Sequence, residues 1–216
     1  MNGQLRILIA DDHDLVRRGM RALLEAKPGW QVCGEARNGR EAVSKAKELN
    51  PELVVMDVCM PEMNGLLATR QILKDSPRTQ VLVVTQHDSD QVVRDVVDAG
   101  ARGFVLKSDP DQYVVVAVDA LSRHKPFFTA RATEMLMEGM AGPSVPETAN
   151  GERLTNRERE ILQLLAEGQS SKAVASTLNI SVKTAETHRA NIMRKLGLHC
   201  VSELVRYAVR NNIIEA

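Results

Sequence analysis

No apolar run in this 216-residue chain reaches the roughly 18 residues that a membrane span needs. The start, Met1 to Arg6 followed by a short apolar strand, also lacks the long apolar core of a signal peptide. These two absences predict a cytoplasmic protein with no membrane partner. Cysteine is scarce: Cys33, Cys59 and Cys200 are odd in number and at unrelated spacings, which fits neither a disulfide framework nor a zinc site and predicts reduced thiols. Charge is balanced, 28 Lys and Arg against 28 Asp and Glu, so net charge by itself identifies no partner. No internal repeat is visible. With 44% hydrophobic and 26% charged residues, nothing marks the chain as disordered or fibrous, and its length suits one large or two small domains.

What is present centres on Leu53 to Gly65. The run Leu53-Val54-Val55-Met56 has no polar alternation, so it reads as a strand buried on both faces, the pattern of a parallel sheet covered by helices. It ends in Asp57 and a loop containing Pro61 and Gly65. Similar runs begin at Arg6, Trp30, Gln80 and Gly103, each followed by a helical period. The first such helix, from Asp14, has apolar residues at 15, 16, 20, 23 and 24. The fifth is expected to start at Asp109-Pro110, with Asp109 as its N-cap. Five such units predict an α/β doubly wound five-stranded parallel sheet over residues 1–124.

The strand ends carry the chemistry. Asp11 and Asp12, Asp57, Thr85 and Lys107 all fall at one edge of that sheet, where open α/β sheets bind ligands. Three carboxylates repel one another unless a cation intervenes, and an oxygen-rich cluster suits Mg2+. A lysine and a hydroxyl opposite the metal would bind the oxygens of a transferring phosphoryl group, with the Asp57 carboxylate as nucleophile. Capping of strand ends by ordinary polar residues explains any one of these positions but not their convergence.

The stretches Ile9-Ala10-Asp11-Asp12-His13, Met56-Asp57-Val58-Cys59-Met60-Pro61-Glu62-Met63-Asn64-Gly65, Val84-Thr85 and Gly103-Phe104-Val105-Leu106-Lys107 resemble the receiver domain of two-component response regulators. The resemblance spans residues 5 to about 123. It implies a histidine kinase as phosphoryl donor and Asp57 as acceptor. It also implies Mg2+ held by Asp12, Asp57 and the main-chain carbonyl of Cys59, with Asp11 reaching it through water. Thr85 and Lys107 would bind phosphoryl oxygens, and Phe104 matches the aromatic that turns inward when Thr85 moves, or is a plain core residue. Cys59 and His87 stand where such domains flank the water that removes the phosphoryl group, and Gln86 stands where a small residue is usual.

Residues 125–152 read as a linker with a short helix: Gly139 to Glu152 holds three Gly and two Pro in fourteen residues with no period. Residues 153–216 then read as an all-α four-helix helix-turn-helix domain. Thr155-Asn156-Arg157-Glu158 is a capping box, Gly168 stops the first helix, Ser171 to Leu178 is the second, Ser181 caps a third ending at Gly197, and Val201 starts a fourth. The third carries Lys183, Arg189, Arg194 and Lys195 against Glu186 alone, the charge pattern of a helix laid in a DNA groove. Leu154 to Leu162, Ser181 to Arg189 and Lys195-Leu196-Gly197 resemble the LuxR-type helix-turn-helix, so the whole chain is similar to a NarL/FixJ-type response regulator.

That resemblance places Lys183, Thr184, His188, Arg189, Arg194 and Lys195 toward DNA, with Glu186, Thr187 and Ala190 at base edges. Glu186 either accepts from cytosine or pairs along the helix with Lys183 or Arg189. Leu204, Val205, Ala208 and Val209 form an apolar stripe that serves either the domain's own core or a homodimer. The function this implies is a phosphorylation-controlled, DNA-binding transcriptional regulator that is not an enzyme. The alternatives are an aspartate-nucleophile phosphatase of the haloacid dehalogenase type, which needs an acid where Cys59 stands, and a regulator acting without phosphorylation, which the complete acidic cluster argues against.

Overall fold

The computed structural model describes residues 4–141 and 154–214, and the chain forms two compact units, Met1–Ala141 and Gly142–Ala216. Most of the Gly139–Glu152 linker expected from the sequence lies outside the described residues.

The first unit alternates strand and helix: β1 (Leu5–Ala10), α1 (Asp14–Glu25), β2 (Trp30–Ala36), α2 (Gly39–Leu49), β3 (Leu53–Met56), α3 (Gly65–Asp75), β4 (Gln80–Thr85), α4 (Asp90–Asp98), β5 (Gly103–Leu106), α5 (Asp111–Ser122), β6 (Phe127–Phe128) and α6 (Ala130–Ala141). The sheet is parallel throughout, in the order β2-β1-β3-β4-β5-β6. Successive side chains of a strand face opposite ways, so Leu8, Ala10, Val54 and Met56 enter one core while Ile7, Ile9, Leu53 and Val55 enter the other. Strand order reverses beside β1 and β3, which opens a crevice at their carboxyl ends where Asp11, Asp12 and Asp57 stand.

Three expectations need correction. The sheet has six strands rather than five, because Phe127 and Phe128 pair with Gly103 and Phe104 and so cover the free edge of β5. Asp109 does not cap α5. Its carboxylate accepts from the Leu106 amide at 2.9 Å, closing the turn after β5, and Pro110 occupies the N-cap. In α1 the inner face is not the purely apolar stripe: Leu15 is 83% exposed, whereas Arg17 is 2% exposed.

Side-chain caps fix the helix starts beneath the crevice. Asn38 accepts from the Glu41 amide and Asn64 from the Leu67 amide. Gly65 is required by a close approach. Its amide donates to the Val58 carbonyl at 2.8 Å, and a Cβ there would lie 1.8 Å from the Asp57 carbonyl oxygen.

The second unit is helical: α7 (Asn156–Ala166), α8 (Ser171–Leu178), α9 (Val182–Leu196) and α10 (Val201–Arg210). The α7 capping box is formed, and Asn179 and Gly197 end α8 and α9 in the left-handed region. Ile161, Leu162, Val174, Ala185, Ile192, Leu204 and Ala208 build its core.

Gly65→Ala should force the Asp57 carbonyl to move, so a loss of about 1–3 kcal/mol or more is expected in urea unfolding. Wild-type stability in this variant would show that the approach is not tight.

Candidate phosphoryl-transfer site and nucleic-acid interface

Each side chain at the crevice is delivered by the end of a strand. Asp11 (4% exposed) follows β1 and Asp57 (3% exposed) follows β3, and the two strands are joined where the Asp57 amide donates to Ala10 at 2.8 Å. Lys107, past the end of β5, places its Nζ 2.7 Å from Asp11 Oδ2 and 2.7 Å from Asp57 Oδ2. Asp57 Oδ1 accepts from the Val58 amide at 2.7 Å. Asp12 stands at the opening, 31% exposed, beside His13 Nδ1 at 2.9 Å. Ligand atoms of Asp11, Asp12, His13 and Asp57 all lie within 4.8 Å of one another.

Burial pushes the Asp57 carboxyl from an ordinary 3.8 up to about 6, since desolvation and the charge of Asp11 together outweigh Lys107 and the Val58 amide. Burial also works against the charge on Lys107. Asp57 and Asp11 more than offset it and hold the ammonium above its ordinary value. The arrangement is therefore an excess of carboxylate over cation in a buried cleft, with the oxygens of three aspartates as donors beside the His13 ring. That chemistry fits a hard divalent ion such as Mg2+.

Thr85 is fully buried at the end of β4; its hydroxyl oxygen accepts from the His87 amide at 3.3 Å and its carbonyl from the Lys107 amide at 2.7 Å. Phe104, 1% exposed, points into the core beneath it. Cys59 and His87 meet, the sulfur 3.1 Å from Nε2. All three cysteines are free thiols. Two further residues stand at this edge, His13 beside the acidic pair and Arg17, a buried cation that hydrophobic period along α1 does not distinguish from a surface charge.

In the helical unit, Lys183, Thr184, Glu186, Thr187, Ala190 and Arg194 lie on the exposed side of α9, opposite buried Ala185 and Ile192, while His188 and Arg189 are half-buried at its margin. The Thr184 amide donates to the Ser181 cap at 3.0 Å, and the Thr187 hydroxyl donates back to the Lys183 carbonyl at 2.8 Å. Glu186 forms no ion pair with Lys183 or Arg189 among the described residues. Lys195, expected to grip a phosphate, places its Nζ 3.0 Å from Glu158 Oε2. Burial works against the charge of Glu158, yet the Thr155 amide and hydroxyl and the Lys195 ammonium hold its carboxyl below the usual range.

Two family models match in series. Residues 7–119 match the response regulator receiver domain and residues 152–208 the luxR family of bacterial regulatory proteins. The oxygen regulatory protein NreC of Staphylococcus aureus is 36% identical over 216 residues, covering 98% of this chain and all of that one. A structure of the Salmonella enterica serovar Typhimurium response regulator RcsB, bound to promoter rprA in the presence of the phosphomimetic BeF3-, superposes with a TM-score of 0.64 at 26% identity, covering 95% of this chain and 98% of that one. A LuxR-family two-component response regulator from Aurantimonas sp. gives 0.61 at 32% identity over 63% of this chain and 98% of that one. A receiver in series with a LuxR-type DNA-binding domain defines a phosphorylation-controlled transcription regulator. This chain belongs to the two-component response regulators of the NarL/FixJ type.

Two measurements test this geometry. Because folding raises the Asp57 pKa, the native state binds that proton more tightly than the unfolded chain; the stability it contributes is full below the unfolded value and is lost as pH rises through about 6. Without divalent metal, Asp57→Asn should therefore be more stable than wild type at about pH 7–8, with the gain shrinking toward about pH 4 in thermal melts. A gain independent of pH would contradict this.

For Lys195→Met, a loss of about 2 kcal/mol is expected from stranding Glu158. If the lysine serves the fold rather than a phosphate, the salt dependence of DNA binding keeps its log–log slope. A slope reduced by about one would make it a phosphate contact.

Proposed function

We propose that residues 1–124 form the receiver, 125–152 a linker with a short helix and 153–216 the DNA-binding domain, and that Asp57 is the phosphoacceptor. The observation that carries this is the buried Asp57 carboxylate at the crevice, with Lys107 at 2.7 Å and Asp11 and Asp12 alongside. An Asp57 oxygen attacks phosphorus as the phosphorus–nitrogen bond of a histidine kinase's phosphohistidine breaks. Asp12, Asp57 and the Cys59 carbonyl would hold Mg2+, with Asp11 acting through water. The metal, when bound, supplies positive charge against the phosphoryl oxygens. Lys107 binds those oxygens from the other side and Thr85 donates its hydroxyl to them. Thr85 then moves toward the phosphoryl group, and Phe104, which already lies in the core, repacks against the space vacated.

The added charge of about −1.5 to −2 biases the receiver, and the output is DNA binding by α9. Lys183, Thr184, His188, Arg189 and Arg194 contact phosphates. Glu186, Thr187 and Ala190 meet base edges, with Glu186, which has no partner along its own helix, accepting from cytosine. Lys195 holds the start of α7 through Glu158. On α10, Leu204 and Ala208 belong to the core, while exposed Val201 and half-buried Val205 and Val209 form a row that suits a homodimer on two half-sites. The protein works in the cytoplasm and is a regulator rather than an enzyme; no helix among the described residues is long and apolar enough to cross a membrane.

The test is labelling by a small phosphodonor with Mg2+. Wild type should incorporate phosphoryl groups at Asp57 and Asp57→Asn should not. Undiminished labelling of the variant would reassign the acceptor.

A further inference from the structure

Arg17 is a cation almost wholly removed from water, at 2% exposure, on the helix that follows the acidic pair. Its Nη1 donates to the main-chain carbonyl of Asp11 at 2.8 Å, its Nε faces Glu35 Oε2 at 3.3 Å, and its Nη2 pairs with Asp14. Glu35 is itself held from β2 by Arg21, whose Nε lies 2.6 Å away. That bond, with the charge of both arginines, keeps the Glu35 carboxyl below its usual range against the opposing effect of burial. The Asp11 amide donates to the Ala36 carbonyl at 3.1 Å, so β2 secures one main-chain group of Asp11 and Arg17 secures the other. With both peptide groups of Asp11 fixed, the direction in which the chain presents Asp12 is fixed as well.

A purely structural demand here would be met as well by an apolar cluster in place of the arginine and its carboxylates together, because a buried ion pair replaced whole by well-packed hydrophobic residues often costs no stability. A guanidinium is also an awkward neighbour for a cation site, since its charge repels a metal. What it alone supplies is a rigid fork that binds a carbonyl and two carboxylates at once. We infer that Arg17, oriented by Glu35 and Arg21, is a positioning residue that holds the Asp11–Asp12 segment in the conformation that binds the divalent metal. The inference rests on the reading of the acidic crevice as a Mg2+ site.

Titration calorimetry of Mg2+ into the intact protein tests it, alongside thermal melts with and without the ion. In Arg17→Met the metal-free protein should still fold but melt below wild type, since the Asp11 carbonyl and Glu35 lose a buried partner, while its Mg2+ dissociation constant rises about 10-fold or more, as expected when the support behind a metal ligand is lost. Arg17→Lys keeps the charge without the fork and should be weakened similarly. Glu35→Gln, which leaves Arg17 in place but loosens it, should fall between and serves if the Arg17 variants do not fold. Unchanged or tighter Mg2+ binding in Arg17→Met, or full rescue by lysine, overturns the inference while leaving the metal site standing. Absence of any Mg2+ binding by wild type removes the site, and the inference with it.

Discussion

The Lys107 ammonium lying between the Asp11 and Asp57 carboxylates is the contact on which the first unit's architecture depends. Two buried like charges at the ends of adjacent strands are an electrostatic liability, which a cation held between them offsets. The lysine comes from β5, two strands away from β3 in the sheet. Bringing it there needs the parallel register across β3, β4 and β5, the sharp turn closed by Asp109, and the crossover helices that make a parallel sheet. Even so the balance remains incomplete, with Asp57 held up to about 6 by burial. A site left short of positive charge is prepared for a metal and for a group whose transfer shifts negative charge into it.

Much of this was legible in the sequence because the signals are abrupt. An uninterrupted apolar run ending in a carboxylate, as before Asp11 and Asp57, marks both a buried strand and its functional end, and adding the ends that carry Thr85 and Lys107 required only the rule that parallel strands share an edge. The residues that escaped notice are those whose environment is set by distant segments. Hydrophobic period cannot see Arg17, since a buried charge looks like a surface charge until Glu35 and the Asp11 carbonyl are brought to it. The same period includes Leu15, which is 83% exposed. Lys195 belongs to the same class: along α9 it reads as one more basic residue, and only the fold brings it to Glu158, 37 positions away.

The helical unit shows the same division of labour on a smaller scale. Caps and left-handed stops at Ser181, Asn179 and Gly197 are local, so the boundaries of its helices follow from a few residues each. Which cations remain available to a polyanion is not local. The ion pair that ties the end of α9 to the start of α7 couples the recognition helix's placement to a capping box, so the two ends of the fold share one carboxylate.

The two-residue strand β6 adds one more consequence. Its pairing with Gly103 and Phe104 occupies the outer edge of β5, and α6 packs its Ala132 and Met135 against the same core. A fragment ending where the fifth helix ends would leave a flat, apolar strand with an open row of amides and carbonyls, a template for edge-to-edge association between molecules. The stretch that begins as a connector thus also acts as a selvage, the finished border that keeps the sheet from unravelling into its neighbours.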